Sequence, residues 1–294
     1  MESLENNVFD TALIFEGGGM RASYTCAVVN VLLENGIYFD NVYGISAGSS
    51  NTANYISRDI WRAKESFVDF IGDPQMGNWG TWLQHKGYFN AQYIYEESGK
   101  PEGVLPFDFE TFMANPAKMT IAGFRRDTGE TIYWTKDDMF TLGRLMRRVR
   151  ASSTLPMFMV PPDVDGFACY DGGLGEGAGL ILPRAQRDGF EKFFIVRTQP
   201  RAYRKKEGGN PLGLVFARRP HVRKALDTRP VRYNAICDEI ERLEAEGKAY
   251  VFYAEGITAK SGTEDVALLE ENYQMGYARA MEELPRMKEF LGLA

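Results

Sequence analysis

Histidine is nearly absent from this chain: His85 and His221 are the only two in 294 residues. Neither follows an apolar run that reads as a core strand, so a Ser-His-Asp triad has no well-placed base. Cysteine is scarce as well. Cys26, Cys169 and Cys237 form no CxxC pair, and an odd, sparse set excludes a disulfide scaffold and a cysteine zinc site. No two-His cluster exists either, so no metal is expected, and nothing in the chain implies an organic cofactor. No stretch of 18 residues is both apolar and uncharged, which excludes a transmembrane helix. The first residues, MESLENNVFDTALIFEGGG, carry acids before any base and have no apolar signal core. A cytoplasmic protein is expected, with peripheral contact at the inner membrane face. Positive charge is not in excess, since the net charge is −6, so no nucleic-acid partner is expected. Hydrophobic residues at 44% and charged residues at 25% exclude general disorder and suffice for a large core.

Residues 11–15 (TALIF) read as a buried strand that turns out through Glu16 to Gly19. A helix follows from Arg21, with Ala22, Cys26, Val29 and Leu33 on one face, and Asn35-Gly36 ends it. Asn41 to Ile45 is a second strand, and Ala47 to Ile60 a second helix. This opening predicts a parallel sheet that works at its strand C-terminal ends. Residues 72–90 read as an irregular aromatic loop, and Phe107 to Met113 as helical. Lys118 to Phe124 and Thr131 to Trp134 read as a strand pair around Asp127-Thr128-Gly129. A helix with a basic end is expected over Lys136 to Arg150, and strands over 166–173 and 192–197. Beyond a basic stretch, 234–247 is helical, Ala249 to Ala254 a strand and 265–284 a helix that Pro285 ends or kinks.

Three short motifs can carry chemistry. Gly44-Ile45-Ser46-Ala47-Gly48 is a GxSxG between a predicted strand and a predicted helix. A serine at such a turn is a nucleophile elbow, and small flanking residues let neighbouring backbone approach. Its plain alternative is a helix-capping turn. Glu16-Gly17-Gly18-Gly19-Met20-Arg21-Ala22 exposes successive N–H groups at a helix start, which suits an anion. It reads as an oxyanion hole for Ser46 or, through Gly17-x-Gly19-x-x-Ala22, as a dinucleotide loop. The dinucleotide reading requires an acid at the end of the second strand, where Ser46 stands instead. Asp171, in Tyr170-Asp171-Gly172-Gly173, is the best candidate base, since glycines let it approach the elbow closely. The alternative is an Asp-Gly turn.

In this order these motifs resemble the patatin-like phospholipase family. Gly17 to Arg21 resembles its oxyanion loop, Gly44 to Gly48 its nucleophile elbow, and Asp171-Gly172-Gly173 its DGG/DGA motif. The block Ala151-Ser152-Ser153-Thr154-Leu155-Pro156, followed by Pro161-Pro162, is similar to the one preceding the family's catalytic Asp. Residues 88–134 and Tyr273 to Tyr277 resemble a bacterial branch. One position departs: the family's glycine loop usually ends in Gly where this chain has Ala22.

The resemblance implies an α/β fold, a three-layer α/β/α sandwich with a mainly parallel central sheet. Residues 1–200 would form the acyl hydrolase core, 201–232 a basic connector, and 233–294 a small α/β C-terminal element packed on the core. It implies hydrolysis of a lipid ester by a Ser46-Asp171 dyad through an acyl-enzyme. The oxyanion hole would comprise Gly17, Gly18, Gly19 and Ala47, supported by Met20, Arg21, Ala22, Gly44, Gly48, Gly172 and Gly173. A lipid-binding protein with little turnover is the rival reading.

Aromatics over 79–95 (Trp79, Trp82, Tyr88, Phe89, Tyr93, Tyr95) and Met157 to Val160 could line an acyl pocket, or pack the core. Residues 201–232 hold ten Lys or Arg against two acids, a net +8 that could meet anionic lipid headgroups. Leu212 to Phe216 within that segment reads as an apolar insertion point.

Overall fold

Five apolar or uncharged residues with no glycine or proline make β1 (Thr11–Phe15), and all five are buried. Such a run suits a central strand covered on both faces. The computed structural model describes residues 4–208 and 215–293. Around β1 lie β2 (Asn41–Gly44), β3 (Lys118–Arg125), β4 (Thr131–Thr135), β5 (Asp163–Val164), β6 (Phe167–Asp171), β7 (Lys192–Val196) and β8 (Ala249–Phe252). The sheet order is β5-β6-β3-β2-β1-β7-β8, with β4 also on β3. Strands β3, β2, β1, β7 and β8 are mutually parallel, while β4, β5 and β6 bring antiparallel pairing at one edge.

Side-chain alternation divides the core between the two faces. Leu13, Phe15, Val42, Phe194 and Phe252 point to α1 (Ala22–Glu34), α2 (Ala47–Ile56) and the long C-terminal helix. Ala12, Ile14, Tyr43, Ile195 and Val251 point to the other layer, where Tyr233, Ile236 and Ile240 cover them. The fold is therefore a mixed α/β three-layer arrangement on a mostly parallel sheet.

Several boundaries differ from expectation for identifiable reasons. Helix α2 stops at Ile56; Arg58 turns at φ 53 and Asp59 caps α3 (Ile60–Glu65) through its side chain. The 72–90 segment is not wholly irregular, because Asn78 and Thr81 form a capping box for α4 (Trp79–Leu83). After α5 (Phe109–Ala114), Lys136–Met139 is a short 3-10 turn, and Thr141 caps α6 (Leu142–Ser153). Two short elements lead on, the 3-10 turn Gly172–Leu174 and α7 (Leu182–Arg187).

The boundary expected at residue 232 falls inside a helix. Helix α8 (Pro220–Ala245) runs straight through residue 232 and through Pro230. Residues 233–294 supply the rest of α8, β8 and the last helix, and β8 pairs with β7 in the central sheet. The last helix, α9 (Val266–Leu291), continues past Pro285. Pro285 is exposed, so the carbonyl it leaves unbonded faces water, while Leu284, Met287 and Leu291 remain buried. Leu212, Gly213 and Leu214 of the expected insertion point lie outside the described residues. Phe216 is buried against Phe124 and Tyr170 and is not available for insertion. Among the described residues no helix is long and apolar enough to cross a membrane.

Candidate active site

The turn between β2 and α2 is strained at its tip. Ser46 sits at φ 57 and ψ −129, a region that side-chain-bearing residues rarely occupy. Such a conformation costs about 1–3 kcal/mol and persists only where neighbours over-determine it. Here they do. The Ser46 N–H donates to Ser152 Oγ at 3.0 Å, and the Ser46 carbonyl accepts from the Ser49 amide and hydroxyl at 2.8 and 2.6 Å. The glycines around it are steric requirements. A Cβ on Gly44 would stand 2.3 Å from the Gly48 carbonyl oxygen, and one on Gly48 would stand 2.2 Å from that of Phe15.

The glycine loop after β1 lies against this turn. A Cβ on Gly17 would fall 3.0 Å from Ser46 Cβ, and Gly19 adopts φ +58 under the Ser261 carbonyl. The loop is anchored from below by a charge cluster that the sequence did not announce. Glu16 accepts from Arg197 Nε at 2.9 Å, the Thr198 N–H at 2.7 Å and the Tyr233 hydroxyl at 2.5 Å. Glu16 and Arg197 are 2% and 1% exposed, so neither charge can turn to water. The only trace in the sequence is an Arg closing the apolar strand KFFIVR.

Four amides were expected to form an anion cradle, and one is taken. The Gly17 N–H donates to the Gly179 carbonyl at 3.0 Å. This corrects the expectation for Gly17, which serves close approach instead. The N–H groups of Gly18, Gly19 and Ala47 have no acceptor among the described residues, as expected of first-turn helix donors. Met20 and Arg21 continue the loop into the 3-10 turn Gly19–Arg21, and Ala22 is the buried first residue of α1.

Sheet register explains how Asp171 meets Ser46. Gly44 pairs with Ile121 and Asp171 pairs with Gly123. The carboxylate therefore stands two residues beyond the end of β2, the level at which Ser46 leaves the strand. It arrives on β6, which pairs antiparallel with β3. A Cβ on Gly172 would lie 2.2 Å from the Ala122 carbonyl oxygen, which explains the glycine after the acid. Asp171 Oδ1 accepts from the Gly173 N–H at 2.7 Å, and the Ser46 side chain lies near enough to act on the same carboxylate. Burial raises the Asp171 pKa above the usual carboxylate value; the Ser46 hydroxyl, Arg229 and the Gly173 N–H oppose that rise without cancelling it.

The C-terminal end of α6 holds both residues at once. Ser152 fixes the Ser46 amide, and the Thr154 carbonyl accepts the Asp171 N–H at 2.8 Å. Sequence reasoning picked out the block 151–156 by resemblance and missed this physical role.

One cavity of about 430 Å³ joins these groups. Its apolar wall includes Phe67, Phe70, Met146, Leu155 and Met159. Of the aromatics expected to line it, Phe89 and Tyr95 do so. Trp79 and Trp82 are exposed, and Tyr93 packs with Phe70 and Met76. Neither histidine lines the cavity, and both are exposed. Among the described residues no three His, Cys, Asp or Glu side chains are grouped to hold a metal ion.

A family model described as patatin-like phospholipase matches residues 13–181, and one described as a domain of unknown function (DUF6363) matches residues 219–292. Among solved structures the chain is similar to VipD from Legionella pneumophila, at 12% identity and a TM-score of 0.46, over 94% of this chain and 67% of that one. No curated protein matches.

Proposed function

The chain belongs to the patatin-like phospholipase family, and on that premise we propose that it is a serine acyl hydrolase that cleaves lipid carboxylic esters through Ser46 and Asp171. One observation carries this reading. A serine held at positive φ and a buried carboxylate line one cavity, beside three uncommitted amides.

Ser46 Oγ attacks the ester carbonyl carbon as its proton passes to the Asp171 carboxylate. The carbonyl electron pair moves to oxygen, where the N–H groups of Gly18, Gly19 and Ala47 donate to it. Collapse of the tetrahedral intermediate expels the alcohol, which takes the proton from Asp171. Water then attacks the acyl-enzyme by the same route and releases the acid. A free Asp has a pKa of about 3.9 and is a weak base for a hydroxyl. Burial strengthens it, and preorganised oxyanion donors contribute about 3–4 kcal/mol each.

The apolar wall suits an acyl chain, so a phospholipid, lysophospholipid or acylglycerol ester fits the reading. The protein acts in a reducing compartment, the cytoplasm, where its three buried, unpaired cysteines stay reduced. It meets an anionic membrane surface through the exposed Arg218, Arg219, Arg223 and Lys224.

Short and long p-nitrophenyl acyl esters and a fluorophosphonate label test this reading. The native protein should turn over and label, Ser46→Ala should do neither, and Asp171→Asn should not turn over. Retained turnover in folded Asp171→Asn, with loss in a His85 or His221 variant, would replace the dyad by a triad. Lipid binding without turnover or labelling would favour the binding-protein reading.

A further inference from the structure

We propose that Lys205 and Arg229, with Arg21 beside them, form a subsite for a phosphate group inside the catalytic cavity. The preferred ester then carries a phosphate on its alcohol side. This rests on Ser46 as the nucleophile.

All three cations line the cavity that holds Ser46 and Asp171. None has a carboxylate within ion-pair distance among the described residues, although twenty such pairs occur elsewhere. Each is instead positioned by neutral groups. Lys205 is clamped to α8 at both backbone groups: its N–H donates to Asn234 Oδ1 at 2.8 Å, and its carbonyl accepts from Asn234 Nδ2 at 3.0 Å. Its ammonium lies over the Tyr233 ring, 4.5 Å from the centroid. Arg229 Nε donates to the Ala178 carbonyl at 3.2 Å, which leaves its outer nitrogens beside Gly173. With its amide oxygen turned inward, Gln199 accepts from Arg21 Nε and Nη2 at 3.1 and 3.2 Å.

Of the acids on the same walls, Asp171 feels the charge of Arg229 without an ion pair to it, and the other two are engaged elsewhere. Glu16 is satisfied by Arg197, Thr198 and Tyr233, and Glu264 faces the Tyr88 hydroxyl. Asp171 is the dyad carboxylate. On the apolar side, Arg62 is held by Asn54 and the Leu105 carbonyl. Burial and the neighbouring Arg229 lower Lys205 to about 8, with Arg21 adding to the effect and Glu16 opposing it. A site where cations depress one another favours an entering anion.

The two sheet faces separate the walls. Phe67, Met146 and Val149 belong to the layer of α1, α2 and α6, whereas Arg229 and Tyr233 come from α8 on the opposite layer. Ser46 stands just past the C-terminal end of the central strand β2, between them. An amphiphile with its ester over Ser46 can direct its chain to one wall and its phosphate to the other.

Two arms test this. In the first, inorganic phosphate and glycerol 3-phosphate are titrated calorimetrically into the Ser46→Ala protein. Binding is expected, and Lys205→Met or Arg229→Met should weaken it about tenfold or more. In the second, kcat/KM is compared for a 1-acylglycerol 3-phosphate and the monoacylglycerol of equal chain length. The ratio should favour the phosphate ester and fall about tenfold in each variant. A ratio cancels partial misfolding and any common effect of Arg229 on Asp171. Absence of phosphate binding overturns the subsite. Phosphate binding with an unchanged ratio overturns the substrate assignment and leaves a free-phosphate site. Absence of labelling and of turnover on both esters refutes the nucleophile reading, and the titration still decides the subsite.

Discussion

Replacing Asp171 by Asn should cut activity steeply and leave the protein as stable as before, or more so. The side chain is 5% exposed, and burial raises its pKa in the folded state. A carboxyl whose folded pKa exceeds its unfolded pKa binds its proton more tightly when folded. Ionisation above the folded pKa therefore costs stability, about 1.4 kcal/mol for every tenfold difference in proton affinity between the folded and unfolded chain. That penalty shrinks as pH falls through the folded pKa and vanishes below the unfolded one. Asn carries no charge and retains the Oδ1 acceptor for the Gly173 N–H. Urea unfolding at neutral pH should thus give Asp171→Asn a midpoint equal to or above the native one, with the difference closing in acid. Loss of the base should lower kcat by about 100- to 10,000-fold. The native acid limb of kcat/KM should lie above the usual carboxylate range, because Asp171 must be ionised to accept the proton. A variant that is clearly less stable at neutral pH and no less stable in acid would show that the ionised carboxylate supports the fold, and would refute this reasoning.

Ser46→Gly should stabilise the fold by about 1 kcal/mol by relieving the positive φ, whereas Ser46→Ala should not, and denaturant midpoints compare them. Gly48→Ala should cost about 3 kcal/mol or prevent folding, since its Cβ would press on the Phe15 carbonyl oxygen. Gly143→Ala, near the start of α6 with nothing within 4 Å, should stabilise by about 0.5–1 kcal/mol and serves as the control. Arg197→Met should destabilise by about 3–5 kcal/mol because it strands Glu16 in the core, with calorimetry as the readout; an unchanged melting temperature would contradict the clamp. Flotation with anionic vesicles should weaken when Arg218, Arg219, Arg223 and Lys224 are neutralised, and unchanged flotation would exclude that face as the membrane contact.

Much of this molecule is legible in order along the chain. The run TALIF, the Asn35-Gly36 stop and the GxSxG between strand and helix are local signals, and β1, α1 and the elbow follow them closely. Periodicity, capping and turn chemistry act over a few residues, so a linear reading reaches them. The second half of α8 reads as a helix over 234–247, but its first half is hidden because Pro230 and a dense positive charge mimic a linker, although Val222, Ala225 and Tyr233 are buried there. Packing outweighs such local penalties, and it also carries α9 past Pro285.

The family, and the Ser46 turn and Asp171 carboxylate proposed as its dyad, could be read from the chain alone. What holds them in place could not. Ser46 is fixed by Ser152, 106 residues away, and Glu16 by Arg197 and Tyr233, 181 and 217 residues away. Folding also commits the Gly17 amide to Gly179 and turns Lys205 and Arg229 toward the cavity. A buried polar group must find its partner wherever the fold brings one, and the distance along the chain between two residues carries no trace of that meeting.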